Sequence, residues 1–460
     1  METIKADVVV VGGGLAAHRA GIEASTLGAS VLMLEKMPVI GGSTVLSGGS
    51  FCFAGTELQK RAGIEDGPDQ LRRDLIDAGG GQADISLIDL FVREQLGEYQ
   101  FLRDRGVFFG AIQSSSGQSV PRLHPADPRK VLFLLHDELK AAPRTRILME
   151  ARATRIQRDG HDGRFREMLV QFKSGQVSVR AERGIVLATG GFSRSADLLK
   201  LFAPELRKAF PGGGLGNEGD GLRMAWEHGA AFADLGFVKA TFGSYAYVDA
   251  DRPSTRPLLP IYRGAIAVNL QGLRFVDESQ SYKALGKACL DQENARAFQI
   301  FDDSVMAQSV DGVPSFDFRA AMRENQFVQA GALAELGAKI NVDPKNFVNT
   351  LATYNEDVRS GHDRQFGRRT LVYKYGSLAE ISKAPFYAYP CTTAMHSTYA
   401  GLRVRNDMTV LNVWNEPLPG LYAAGEVVGG FHGEGYMTGS SLVKALVFGR
   451  IAVRSAMQAP

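Results

Sequence analysis

Val8-Val9-Val10-Val11-Gly12-Gly13-Gly14-Leu15-Ala16-Ala17 is the stretch on which the fold turns. Four β-branched residues stop at three glycines, and residues 15–27 follow with helix-forming composition, which reads as strand, tight turn and helix. A second strand over residues 30–34 ends on Glu35, so residues 8–35 make one βαβ unit, whose parallel strands are buried on both faces. The glycine run fits G-x-G-x-x-[GA]: Gly12 permits the turn, Gly14 lets the backbone approach a pyrophosphate, and Ala17 keeps the helix close to the strand. Free N–H groups and the dipole at the helix start favour an anion there. Glu35 lies about 20 residues past Gly14, where a carboxylate accepts hydrogen bonds from ribose hydroxyls, with Lys36 beside it.

Further along, Gly184-Ile185-Val186-Leu187-Ala188 stops at Thr189-Gly190-Gly191, and Leu421-Tyr422-Ala423-Ala424 stops at Gly425-Glu426. Both read as core strands that deliver a glycine turn to one edge of the same sheet, where α/β proteins bind ligands. Between them the texture changes: residues 236–375 intersperse aromatics, Arg and Pro with short helical patterns such as 344–358, and read as an inserted domain. The expected division is therefore 1–235, 236–375 and 376–460. Residues 107–128, with Ser114-Ser115-Ser116-Gly117 and several prolines, read as a long surface loop or lid. Neither a repeat nor a low-complexity segment interrupts the chain.

Composition supports a globular chain handling small molecules. Of 460 residues, 45% are hydrophobic and 22% charged, which excludes disorder and coiled coil. Lys+Arg 52 against Asp+Glu 50 leaves +2, so no basic field is available for nucleic acid. The three cysteines, Cys52, Cys289 and Cys391, suit neither a disulfide framework nor a metal site and imply a reducing compartment. The first apolar run is much shorter than the ~20 residues of a membrane span, and it lacks the basic start of a signal peptide. The expectation is a cytoplasmic protein.

Gly41-Gly42-Ser43-Thr44 and Ser47-Gly48-Gly49 add a glycine-serine loop that resembles flavin-binding families rather than nicotinamide dehydrogenases. In order with Ala188-Thr189-Gly190-Gly191-Phe192, Gly219-Asp220-Gly221 and Leu421 to Glu426, the whole chain resembles the fumarate reductase/succinate dehydrogenase flavoprotein family, in its soluble branch with tricarballylate dehydrogenase and the 3-ketosteroid dehydrogenases. The resemblance implies an α/β fold, a Rossmann-like FAD-binding domain interrupted by an α+β capping domain, with FAD as cofactor. It implies that Gly12, Gly14, Ala17, Glu35 and Lys36 serve the dinucleotide, that Gly42, Ser43, Thr44 and Gly49 line pyrophosphate and isoalloxazine, and that Thr189 and Gly190 approach the cofactor. Ala153 would meet adenine through its backbone, Asp220 and Glu426 would hold the sugar chain, and Ser441 and Leu442 would aim N–H groups at the pyrimidine edge. Respiratory members attach flavin through a histidine in the region held here by Gly42-Ser43-Thr44, so the resemblance implies non-covalent FAD.

The resemblance breaks where fumarate reductases carry cationic clamps for a dicarboxylate. Tyr282 stands four residues after Glu278 where they have the proton-donating arginine, Tyr436 where they have a substrate-binding arginine, and Ser397 where they have the second of two histidines. Paired tyrosines resemble the 3-ketosteroid dehydrogenases instead. Tyr282 is then the base and Tyr436 the donor that polarises the carbonyl, with the N–H of Gly439 or Ser440 as companion and His396 as a further contact. His432 and Glu434 are lesser candidates, Tyr245, Tyr262, Arg263 and Tyr399 are possible pocket walls, Arg274 reads as a cap ion pair, and Phe51 and Phe53 read as core. The expected reaction introduces a C=C bond α,β to a carbonyl of a ketone or keto acid. Alternatives are the reverse reduction of an enone or enoate, oxidation of a polycarboxylate, and a flavin-carrying electron-transfer subunit. A small-molecule substrate and an unidentified electron acceptor are the expected partners, without nucleic acid or membrane.

Overall fold

The structure, a computed structural model, describes residues 3–246, 257–313, 315–371 and 376–459, apart from the side chains of Lys239, Tyr282 and Lys283. The β-branched run forms the strand Thr3–Val11, the glycines turn the chain, and the helix Leu15–Thr26 and the strand Val31–Leu34 follow as expected. Thr3–Val11 pairs in parallel with Val31–Leu34 on one side and with Gly175–Leu187 on the other, and Pro417–Ala423 adds in parallel beyond the latter. All four strand ends therefore reach the same edge. Gly12 sits there at φ +125°, where a Cβ would lie 2.2 Å from the carbonyl oxygen of Ala188, so two strand ends meet at a point that only glycine fills. Ala17 is fully buried against the sheet, as its packing role requires.

A second, six-stranded sheet joins Val238–Tyr245, Phe386–Thr398, Arg296–Asp302 and Ile266–Val268 in that order. It has its own apolar clusters, one around Phe301, Tyr387 and Tyr389 and another around Phe347, Leu351 and Tyr354. The helix read at 344–358 is Pro344–Ser360, capped by the Asp343 carboxylate on the Asn346 N–H. Its central strand, Phe386–Thr398, lies beyond the boundary expected at 375. Composition shifts mark where the aromatic-rich insert ends, whereas this strand reads as ordinary core and returns to the first sheet only after crossing the second.

The stretch 107–128 also differs from the surface loop expected of it. Leu123–Pro125 pairs antiparallel with Ser50–Cys52, and Arg122 is fully buried between Asp66 and Asp74, at 2.6 Å from each. Phe51 and Phe53 are fully buried beside Phe109 and Tyr99, as core residues. Among the described residues no helix is long and apolar enough to cross a membrane, and no cluster of His, Cys, Asp or Glu suits a metal ion.

Arg274 is the cap ion pair expected of it, buried against Glu278 at 2.7 Å and Asp363 at 3.0 Å, while Arg368 reaches Glu278 from the other side. Burial opposes ionisation of the Asp363 carboxyl, but the hydrogen bonds and charge of Arg274 and backbone N–H groups hold it down to about 2. A carboxyl depressed in the folded state adds stability above its unfolded value and loses it as pH falls through the folded one. Denaturant melts should therefore show stability declining between pH about 4 and about 2, with Asp363→Asn less stable at pH 7 and flatter across that acid window. A parallel pH dependence in the variant would mean that Asp363 is not its source.

Candidate active site

The glycine turns at the shared edge of the first sheet, together with the end of the second sheet, enclose one elongated cavity. Gly12, Gly14, Glu35, Lys36, Gly42, Ser43, Thr44, Gly49, Ala153, Thr189, Gly190, Asp220, Glu426, Ser441 and Leu442 all line it, although they are scattered across the chain. So do His396, Tyr436 and Gly439. Tyr282 opens the helix Tyr282–Leu290, and its side chain lies outside the described residues.

One end is built from the βαβ unit. No side chain caps the helix Leu15–Thr26 from Gly14, and the Thr44 hydroxyl accepts from the Leu15 N–H at 3.1 Å, drawing the loop at 41–44 over the helix start. The Glu35 carboxylate accepts from the Met37 N–H at 2.7 Å. Burial pushes this carboxyl up, while the N–H groups of Met37 and Gly13 work against the shift. Lys36 reaches Asp220 at 2.7 Å and Glu218 at 2.8 Å, and Arg152 reaches Asp220 from the far side at 2.7 Å. Asp220 is thus tied to Lys36 and Arg152, near Glu35, at this end of the cavity. Sequence offered no sign of this, because its cations come from two distant strand ends.

The middle is organised around Glu426. Its carboxylate accepts from the Thr398 N–H at 2.9 Å, the Ser43 hydroxyl at 3.1 Å and the Asn217 amide at 3.2 Å. Asn217 also donates to the Ser43 oxygen at 2.9 Å. Ser43 and Thr44 thus spend their hydroxyls within the protein, and the loop offers its backbone to a ligand. The Thr189 hydroxyl, by contrast, has no partner in the protein.

At the other end the helix Ser440–Gln458 starts from Gly439, left-handed at φ +89°, with no side-chain cap. A Cβ on Gly439 would press on the Cys52 nitrogen at 3.0 Å, so this turn is set tightly against the strand Ser50–Cys52. Tyr436 lies against the helix start. Burial pushes its phenol up from the ordinary tyrosine value, against the opposing pull of the Ser441 hydroxyl and the N–H groups of Gly439 and Ser441. The Ser440 N–H is taken by the Met437 carbonyl at 3.2 Å, while the Gly439 N–H faces the Tyr436 phenol oxygen. His432 packs on Tyr436 with ring centroids 5.3 Å apart, and Tyr399 stacks on Tyr436 at 6.0 Å. His432 lines the cavity, whereas Tyr399 is buried behind Tyr436. His396 enters from the second sheet and exchanges a hydrogen bond with the Ser244 hydroxyl at 3.0 Å.

Sequence reasoning missed Asn217, Ser115, Thr241 and Lys444, which also line the cavity. For Lys444 a signal existed: it stands alone among apolar residues, one turn after Ser441, on a helix whose start faces the site. For Ser115, Asn217 and Thr241 none did, since single polar residues in loops and strands are ordinary.

The chemistry of these walls fits a flavin dinucleotide: a carboxylate for ribose, a glycine cradle at one helix start, an unpartnered hydroxyl at Thr189, and a second helix start for an electron-rich ring. Comparison with known proteins agrees. A family model described as FAD binding domain matches residues 7–442. The NADH:fumarate oxidoreductase of Klebsiella pneumoniae (strain 342) is 31% identical over 455 residues, covering 97% of this chain but 47% of its own, so the chain spans about half that relative's length. The open conformation of a flavocytochrome c3 fumarate reductase superposes with a TM-score of 0.84 at 26% identity, over 98% of this chain and 78% of that one. The 3-ketosteroid-delta4-(5alpha)-dehydrogenase from Rhodococcus jostii RHA1 superposes with a TM-score of 0.75 at 26% identity, over 99% and 97%. With the family model running from the first strand into the last helix, the chain belongs to the FAD binding domain family, the FAD-dependent oxidoreductases that include fumarate reductases and 3-ketosteroid dehydrogenases.

Proposed function

We propose that this chain holds FAD non-covalently and interconverts a C–C single bond and a C=C bond lying α,β to a carbonyl, with dehydrogenation of a ketone or keto acid as its forward reaction. The observation that carries this reading is Tyr436. A phenol whose ionisation is opposed by burial stays protonated at neutral pH, lines the cavity, and sits against a helix start whose N–H groups face it. Such a group donates a hydrogen bond to a carbonyl oxygen and stabilises the enolate that develops when the neighbouring carbon loses its proton. The Gly439 N–H is its companion.

FAD, when bound, supplies the hydride acceptor. The proton leaves to Tyr282, the first residue of the helix Tyr282–Leu290, as base. Glu35 and Lys36, with Asp220 and Arg152, form the adenosine end, and Glu426 with Ser43, Asn217 and Thr398 holds the middle of the cradle. Positions 42–44 are Gly-Ser-Thr, without the histidine that a covalent link would use. The reverse reaction is a second reading, favoured by the reductase names of the fumarate-reducing relatives. In that direction Tyr436 holds the same oxygen and Tyr282 returns the proton.

The purified protein should be yellow and should release intact FAD on acid or heat denaturation. Flavin that stayed with the precipitated chain would refute the non-covalent assignment. Glu35→Ala should lower FAD occupancy at limiting cofactor while turnover per bound flavin stays within about twofold of wild type, since its proposed contacts with the cofactor are to ribose alone.

Tyr436→Phe should lower turnover by on the order of 10² to 10³ with FAD binding intact, and Tyr282→Phe should abolish proton abstraction and remove the limb of the pH-rate profile on which activity rises as that phenol ionises. Anaerobic bleaching of the flavin by saturated ketones, keto acids and tricarboxylates, set against reoxidation of the reduced enzyme by their unsaturated counterparts, fixes the direction. If both variants keep turnover within about tenfold of wild type, the rings only pack and the carbonyl reading falls.

A further inference from the structure

A buried ammonium gives up strong hydration, and a fold keeps one only where something offsets the loss. Lys444 is such a group: it is 2% exposed and lines the cavity from the helix Ser440–Gln458, one turn after Ser441. Its surroundings within the protein offset only part of the cost. Of its three N–H groups one donates to the Val428 carbonyl at 2.7 Å, and among the described residues no carboxylate pairs with it. The charges of Asp234 and Glu426 act on it through space alone, and the rings of Phe431 and Phe448, centred 5.7 and 5.9 Å from the nitrogen, add a weak attraction. The dipole of its own helix opposes a cation so near the start.

An anion in the cavity completes the balance. On the reading above, FAD lies with its adenosine end at Glu35 and Lys36 and the pyrimidine edge of its ring at Ser441 and Leu442, so the ring meets the stretch of wall to which Lys444 belongs. The oxidised ring is neutral. Taking up two electrons and one proton leaves it with one negative charge. We infer that Lys444 tunes the flavin: its ammonium, held on the Val428 carbonyl at the cavity wall, stabilises the reduced ring and sets how readily the bound cofactor accepts electrons. The inference rests on that placement of FAD and not on the carbonyl held by Tyr436. It needs no direct contact, because in a buried site a charge acts on another across several ångströms.

The charge is also conditional on pH. Burial pulls the ammonium down to about 8, against the opposing pull of Asp234 and Glu426, so it is present at neutral pH and lost above that value. Reduction of the flavin raises the value, because a new negative charge nearby favours the protonated lysine. The next titratable groups along this wall are His432, which exchanges a hydrogen bond with the Ser441 hydroxyl at 3.4 Å, and Tyr436, whose phenol burial keeps protonated. Wild type and variants at position 444 share both, so their titration cancels in a comparison.

The test titrates the FAD-loaded enzyme anaerobically with dithionite against a redox dye, with no substrate present, and reads the ratio of affinities for reduced and oxidised FAD. Lys444→Gln offers the Val428 carbonyl a donor without a charge, and at pH about 7 it should lower that ratio by on the order of tenfold, which is about 30 mV for two electrons. Lys444→Arg should stay within about threefold of wild type there. By pH about 9.5 wild type should have converged on Lys444→Gln while Lys444→Arg keeps its advantage, an ordering that a packing defect does not produce. In wild type alone the ratio should fall by about tenfold per pH unit below pH about 8 and more steeply between about 8 and about 9, where reduction takes up a second proton. A wild-type slope that never steepens overturns the inference whatever the variants do. A ratio unchanged in Lys444→Gln overturns it too, and equal weakening of both redox states would then assign the cation to the phosphates. Glu35→Ala should leave the ratio at the wild-type value. If Glu35→Ala shifts it and Lys444→Gln does not, FAD lies the other way round and its placement falls with the inference, whereas no shift in either overturns the inference alone.

Discussion

The carboxylate of Glu426 is where the two sheets are held to a common site. Its three donors come from the loop after the second strand, from the loop before Asp220 and from the last residue of the strand Phe386–Thr398 in the second sheet. Because charge-assisted hydrogen bonds are roughly twice as strong as neutral ones, one ionised group can tie three segments together. Burial pushes the carboxyl up, while the donors of Thr398, Ser43 and Asn217 and the charge of Lys444 oppose the shift. The position of the second sheet over the glycine turns, and with it the meeting of His396 and Tyr436 in one cavity, depends on this clamp.

Asp234 and Lys444 do the same for the turn that carries Tyr436. Asp234, itself left-handed at φ 58°, accepts from the N–H groups of Gly430 at 2.9 Å and Gly433 at 3.2 Å, while Lys444 donates to the Val428 carbonyl at 2.7 Å. Burial pulls the Lys444 ammonium down to about 8, partly offset by the charges of Asp234 and Glu426. A glycine-rich turn has a large conformational entropy to lose, and these hydrogen bonds remove much of that freedom before substrate arrives. The aromatic stack of His432, Tyr436 and Tyr399 then sets the ring in place from behind.

What sequence could show follows from what is local. The run from Val8 to Ala17 is strand, turn and helix by composition alone, and all the residues assigned to the cofactor except Ala17 line one cavity, Ala17 being the one assigned to packing. That Phe386–Thr398 belongs to the second sheet was not legible, because the strand is buried along nearly its whole length like a core strand and its membership is decided by partners near residues 240, 299 and 329. The ion pairs of Asp220 were hidden for the same reason: Lys36 and Arg152 are adjacent to it only after the parallel strands have formed. Ser115 looked like part of a serine-rich surface loop, but that loop is held inward by its hydrogen bonds to Thr438 and by the burial of Arg122 between Asp66 and Asp74.

The substitution of neutral donors for cations at this site has a consequence that electrostatics decides. An arginine facing a carboxylate gains from charge pairing at every stage of a reaction, so much of its energy is spent on binding the ground state. A phenol facing a ketone oxygen gains little at first, because both are neutral, and gains more as negative charge builds on that oxygen. Tyr436, kept protonated by burial and backed by N–H groups at a helix start, is matched to charge that appears during the reaction rather than to charge the substrate brings. The same reasoning assigns selectivity to other groups. On the proposed reading, a donor matched to developing charge discriminates weakly among ketones, so recognition of a particular ketone falls to groups that meet it away from the reacting carbons.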